Sequence, residues 1–226
     1  MAAKRGLEAL RQFSPCDIGD ALVKLKYPLG GFLGGLKMYS PGGQHRIAGP
    51  AVTVKMVMLS NKDAPSPERH FADHCLPGAI MYIQQPPRSM YSACWSGLTS
   101  TRAKHLGAQG AIVNGKIRDV SEHNELGFPV FSRGTAILES STLARASEID
   151  VPVRFKGDLW INPGDLLVAD HSGVVVTPPS LVDQVVALCE EKAEIDRKML
   201  EGLRGGGSMS DLIKELQEQK DSPPSE

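Results

Sequence analysis

GLTSTRAKHLGAQGAIVNGKIRDVSE, residues Gly97–Glu122, is the stretch whose reading decides the fold. Ser96-Gly97 opens a helix over Leu98–Leu106, and Gly107 and Gly110 bracket its exit. Ala111–Val113 reads as a short buried strand, Gly115 as a turn, and Asp119 as the cap of a second helix running to Leu126. Helix, strand and helix joined by tight glycine turns form a unit of an α/β domain. The first turn of a helix carries unpaired N–H groups, so the segment after Gly97 is also a ready anion site.

Working outward, the same alternation continues. Leu7, Leu10 and Phe13 fall at helical spacing, and Ser14-Pro15 restarts a helix with Ile18, Ala21, Leu22 and Leu25 on one face. AVTVKMVML (Ala51–Leu59) and GAIMYIQQ (Gly78–Gln85) read as strands, as does Phe128–Phe131. Val151–Val176 is β-rich, with Asp170-His171-Ser172-Gly173 as a tight hairpin turn. A long helix spans about Ser180–Leu203, with Glu190, Glu191 and Glu194 in its acidic middle, and Gly205-Gly206-Gly207 ends it. Ser208–Gln219 reads as a short charged helix capped by Ser210, and DSPPSE as a frayed tail. There is no internal repeat. The expectation is one α/β domain over residues 1–204, then a short helix and tail over 205–226.

Composition removes several functions. Of 226 residues only 5% are aromatic, and the net charge of −1 is spread along the chain. Stacking platforms and basic patches are lacking, so nucleic acid is not the expected partner. The four cysteines show no CxxC, the six histidines do not cluster, and no GxSxG elbow is present. Residues 27–50 are glycine-rich but contain neither GxxxxGK[ST] nor GxGxxG. No apolar run reaches membrane-spanning length, and Met1–Phe13 lacks a signal pattern, so a cytoplasmic protein with no membrane partner is expected.

Arg118-Asp119 carries the chemistry. Adjacent residues are expected to point apart rather than pair. Arg118 can bind a carboxylate or enolate oxygen with its planar fork. Asp119 can hold a hard divalent cation, mostly through waters, and that cation can act as a Lewis acid on a keto oxygen. A helix-capping aspartate beside a surface arginine fits the same spacing. Asp20 either serves the dipole of its own helix or points into a site on a neighbouring surface. Glu122 and Glu125 either orient Arg118 or face water.

Gly97, twenty intervening residues, Arg118-Asp119, two more and then Glu122 resemble the signature of the RraA-like family, which includes 4-hydroxy-4-methyl-2-oxoglutarate aldolases and oxaloacetate decarboxylases. CDIGDAL (Cys16–Leu22), GGLKMYSP with IAGPAVTV, GFPVFSRG (Gly127–Gly134) and NPGDLLVADHSGVVVTP (Asn162–Pro178) are similar too, in the same order. STRA (Ser100–Ala103) with RDVSEH looks most like the fungal branch. The resemblance implies an αββα sandwich related to swivelling β/β/α domains, assembled as a homotrimer or homohexamer with the site between subunits. It implies Mg²⁺ or Mn²⁺ near Asp119, and Arg118 orienting the pyruvyl group of a small 2-oxo acid. Backbone groups around Gly97, Leu98, Thr99 and Ser100 would hold the carboxylate. An acid from the adjacent subunit would come from Asp20, Glu190, Glu191 or Glu194, with Glu194 preferred. The implied function is a pyruvate-releasing lyase working through a pyruvate enolate. The alternative is a non-catalytic regulator of an RNA-degrading enzyme. Many bacterial aldolases of the family carry Asp where Gly97 stands, and glycine cannot take over its part in proton transfer.

Overall fold

The computed structural model describes residues 2–43, 45–89 and 91–221. Its spine is one long strand, β2 (Ile47–Met58), which belongs to two sheets. Over Ile47–Pro50 it pairs antiparallel with β9 (Leu166–Asp170), whose hairpin partner is β10 (Gly173–Thr177). Over Ala51–Lys55 it pairs parallel with β3 (Ile80–Gln84), and over Val54–Met58 antiparallel with β6 (Ala144–Ile149). β4 (Gly110–Ile117) and β5 (Val130–Thr135) continue the parallel sheet, and β1 (Lys37–Ser40) closes its edge. A small hairpin, β7 (Val153–Lys156) and β8 (Leu159–Ile161), stands apart in pairing.

The period-two alternation of β2 explains the layering. Val52, Val54 and Met56 face a core formed with Met81, Val113, Trp95 and Phe128. Ile47 and Ala51 face the space between the sheets with Tyr82, Ile112, Leu167 and Val174. Ala48 faces a third core with Ile18, Leu22, Val168 and Val185. The outer layer on that third side is α1 (Ala2–Leu10), α2 (Pro15–Lys24) and α5 (Val182–Arg204), while α3 (Gly97–His105) and α4 (Val120–Leu126) cover the opposite side. The result is a single mixed α/β domain with helix, sheet, sheet and helix layers, as the sequence led us to expect. After α5, the helix α6 (Met209–Asp221) folds back, with Leu212 against Gly202. Ser208, not Ser210, accepts the N–H of Asp211 at its start. The tail expected to fray, beyond residue 221, lies outside the described residues.

Three local differences have physical causes. β4 runs through Gly115, where a turn was expected, because Gln85 Oε1 accepts the Lys116 N–H and fills the space beside that glycine. β6 was not foreseen: ARASEI has little β-branched character and works as a polar edge strand on β2. The turn after α2 tucks Gly31 (φ +66°) under β10, so that a Cβ there would lie 2.3 Å from the Val176 carbonyl oxygen. Gly31→Ala therefore combines left-handed strain with overpacking and lowers stability by about 2–4 kcal/mol. The urea midpoint reports it, and an unchanged midpoint contradicts this packing.

Candidate active site

Ile117 ends β4, and the chain enters α4 through Arg118 and Asp119, at the carboxyl end of the parallel sheet where α/β folds place ligands. Asp119 has φ 59° and ψ 44°, a left-handed conformation costing a non-glycine residue about 1–2 kcal/mol. Although it sits at the N-cap of α4, its side chain makes no cap bond there. Instead Oδ2 accepts the N–H of Gly97, the first residue of α3, at 3.1 Å. Asp119 thus caps the neighbouring helix, where a carboxylate meets the positive end of its dipole.

Arg118 and Asp119 do pair, contrary to expectation: Arg118 Nε lies 3.5 Å from Asp119 Oδ2. The left-handed turn at Asp119 removes the alternation that would have sent the two side chains apart. Arg118 Nη2 also donates to Glu139 Oε1 at 3.2 Å.

Glu122 completes the group. A Cβ on Gly97 would lie 1.6 Å from Glu122 Oε2 and 2.6 Å from its Cδ. The carboxylate therefore occupies the space a side chain at position 97 would fill. One turn of α4 separates Asp119 from Glu122, so both acids lie on the same side of that helix and converge on the start of α3.

Beside this group a cleft of about 360 Å³ is lined by His70, Trp95, Leu98, Thr99, Arg102 and Arg118, among others. The Thr99 hydroxyl accepts from the Ser96 N–H (2.8 Å) and donates to the Ser96 carbonyl (2.7 Å), fixing the entry of α3. The Ser100 N–H is spent on the Ser96 carbonyl (3.1 Å), and its buried hydroxyl accepts from the Trp95 indole (2.7 Å). Ser100 thus shapes the wall from behind, the Thr99 N–H belongs to a capping box with the Ser96 side chain, and Leu98 carries the N–H left open at this helix end. Cys94 is buried, and burial pushes its thiol up to about 12, so it is no nucleophile. His123 is fully buried on α4, and burial lowers its pKa.

Residues 15–176 match the family described as RraA-like, Aldolase/RraA. The chain belongs to the RraA-like family. A relative from Halalkalibacterium halodurans, named "Putative 4-hydroxy-4-methyl-2-oxoglutarate aldolase", is 39% identical over 94 residues, 42% of this chain and 44% of that protein. The chain spans about half the length of the curated relatives it matches. Among solved structures, an uncharacterized protein from Pseudomonas syringae pv. tomato shares the fold with a TM-score of 0.79 at 24% identity, covering 93% of this chain and 97% of that one. Streptomyces coelicolor RraAS2, described as an unusual member of the RNase ES inhibitor RraA protein family, gives a TM-score of 0.70 at 25% identity, over 88% and 95% of the two chains.

Within this RraA-like chain the acids expected from a neighbour do not approach Arg118 and Asp119. They sit on the α2/α5 layer, with both sheets in between. Asp20 Oδ2 is 3.9 Å from Lys192 Nζ. Glu190 lines a groove with Arg5 and Asp183. Glu191 lies on α5, and Glu194 is exposed there and paired with Arg197 and Lys198, its carboxyl held low by the Arg197 hydrogen bonds. Sequence reasoning left Glu122 open, although its i+3 spacing from Asp119 was the available signal. Nothing in the sequence marked Glu139 as the partner of Arg118.

Proposed function

We propose that this RraA-like protein is a carbon–carbon lyase that releases pyruvate from small 2-oxo diacids, by retro-aldol cleavage of 4-hydroxy-4-methyl-2-oxoglutarate-type substrates or by decarboxylation of oxaloacetate. The observation that carries the reading is the convergence of Asp119 and Glu122 on the N-terminus of α3 beside Arg118. A helix end, an arginine fork and two carboxylates supply an anion site and a proton acceptor together. The printed name of the H. halodurans relative points the same way.

The donors suit a hard cation. Asp119 and Glu122 offer oxygen only, and Mg²⁺ or Mn²⁺ takes one or two carboxylates and keeps several waters. Among the described residues no three His, Cys, Asp or Glu side chains gather into a metal site, so water or a neighbouring chain would complete the set. When bound, the cation would supply Lewis-acid polarisation of the 2-oxo group. Arg118 holds the substrate carboxylate and faces the charge that develops on the enolate oxygen. The Leu98 N–H group adds the pole of α3. Glu122 takes the proton of the C4 hydroxyl as the C3–C4 bond breaks, then returns a proton to C3. Oxaloacetate has no hydroxyl proton to lose, so only the second of these transfers applies to it.

Two apolar surfaces support a closed ring of subunits. Leu98 is exposed in the cleft wall, Tyr91 and Ile137 are exposed two residues from the lining residues Ala93 and Glu139, and Val23, Leu29 and Phe32 are exposed beside Asp20. Different surfaces on opposite layers, each apolar, fit a head-to-tail homotrimer or its hexamer. Such packing would carry Asp20, or an acid of α5, toward the next chain's Asp119.

Purified protein supplied with Mg²⁺ is expected to release pyruvate from oxaloacetate or 4-hydroxy-4-methyl-2-oxoglutarate, to stop when EDTA is added, and to resume when Mg²⁺ is restored. Pyruvate release no faster than with free metal contradicts the proposal. The described likeness to RraAS2 favours the second reading, a regulator of an RNA-degrading enzyme. That reading leaves the protein's binding indifferent to EDTA and to loss of the Asp119 charge.

A further inference from the structure

We infer that Arg102, held by Asp73, reads the second carboxylate of the substrate, so that the cleft selects diacids over monoacids and favours retro-aldol cleavage over decarboxylation. The inference rests on the lyase reading for what binds at the Arg118 end. Two arginines line this one cleft. Arg118 stands just after β4, and Arg102 stands on α3, which precedes and packs against that strand. Leu98 and Thr99, four and three residues before Arg102, line the same wall. The Cα of Arg102 therefore lies about 6 Å further along the axis than that of Leu98, on the same helix face. A 2-oxo diacid carries a carboxylate at each end, one for each of two arginines lining one cleft.

The partner of Arg102 leaves its fork usable. Nε donates to Asp73 Oδ1 at 2.7 Å, which fixes the plane of the guanidinium. Nη1 and Nη2 have no partner among the described residues, and those two groups form the outer edge that binds a carboxylate through paired bonds. Asp73 belongs to the short helical turn Phe71–His74, which closes one side of the cleft.

The position of this arginine bears on the reaction. In a 4-hydroxy-2-oxo diacid the C4 hydroxyl proton passes to Glu122, the C3–C4 bond breaks, and its electron pair stays on C3 as the pyruvate enolate. The other fragment leaves as a 2-oxo acid with its carboxylate intact on Arg102. In oxaloacetate the carboxylate facing Arg102 is the one that departs as CO₂. There an arginine stabilises the ground state more than the transition state and slows the step.

Calorimetric titration in the presence of Mg²⁺ tests this with two probes. 2-Oxoglutarate carries the second carboxylate but no hydroxyl to cleave, and oxalate fills only the Arg118 end. Arg102→Gln is expected to weaken 2-oxoglutarate at least about ten-fold and to leave oxalate within about two-fold of wild type. Asp73→Ala breaks the same link between the helical turn and α3 but keeps the guanidinium, and should hold 2-oxoglutarate within about three-fold of wild type. The inference is overturned if wild type does not bind 2-oxoglutarate, or if Arg102→Gln leaves its affinity unchanged or weakens both probes equally. It is also overturned if Asp73→Ala loses as much affinity as Arg102→Gln, which would mean the pair only braces the wall. Failure of the lyase reading would show separately, as absent pyruvate release with the binding pattern intact.

Discussion

Asp119→Asn is expected to release pyruvate about 10²–10³-fold more slowly than the wild-type protein while melting at the same temperature. An asparagine Oδ1 still accepts the Gly97 N–H, so the junction between α3 and the β4–α4 turn is preserved. The negative charge is lost. With it go the attraction for a divalent cation and the ion pair to Arg118 Nε. A coupled assay for pyruvate measures the rate and a thermal melt measures the fold. A variant that keeps half its activity, or one that loses activity only because it unfolds, contradicts the role given to this carboxylate.

The second large effect concerns Gly97 and Glu122. Glu122→Ala is expected to slow cleavage of the hydroxy diacid about 10²–10⁴-fold, the usual worth of a positioned proton acceptor. Gly97→Ala should lose activity as well, although it adds only a methyl group. That methyl would sit 1.6 Å from Glu122 Oε2 and 3.0 Å from its Cβ, so the carboxylate has to leave. Glu122 is on the surface and can swing into solvent, so stability changes little. A double variant, Gly97→Asp with Glu122→Ala, places a carboxylate in the same space from the other helix and should recover much of the lost rate. Wild type, Glu122→Ala, Gly97→Asp and the double variant together form a cycle for one carboxylate in one place. Full activity in Gly97→Ala, or no recovery in the double variant, removes Glu122 from the mechanism.

Much of this was legible before any coordinates. The α/β domain follows from strands whose alternation is strong, such as Val52-Val54-Met56 and Leu167-Ala169, and from caps such as Ser14 that state where a helix begins, while the αββα layering was implied by the resemblance to the RraA-like family. β6 escaped because an edge strand needs only one partner and can be polar. β4 was cut short at Gly115 because glycine marks turns, and only the tertiary placement of Gln85 shows why it stays in the strand.

The site divides the same way. Arg118 and Asp119 stand out by their order and their distance from Gly97. Their mutual geometry does not, because it depends on one left-handed residue that nothing local requires. The glycine at 97 looked like a missing acid when read along the chain. In space it is the gap that Glu122 fills. Asp20, Glu190, Glu191 and Glu194 are acidic by sequence, yet within this chain they lie on the layer away from Arg118 and Asp119, so only the proposed neighbouring chain would bring them into the site.

The central claim is that this site stabilises a pyruvate enolate and passes it a proton. Exchange of the pyruvate methyl hydrogens for deuterium, followed by NMR in D₂O with Mg²⁺, measures that step alone, whichever substrate the protein uses. The account predicts exchange well above the rate with Mg²⁺ alone, and near-complete loss of it in Asp119→Asn and in Glu122→Ala. Exchange no faster than with the free metal, or undiminished in both variants, would contradict it.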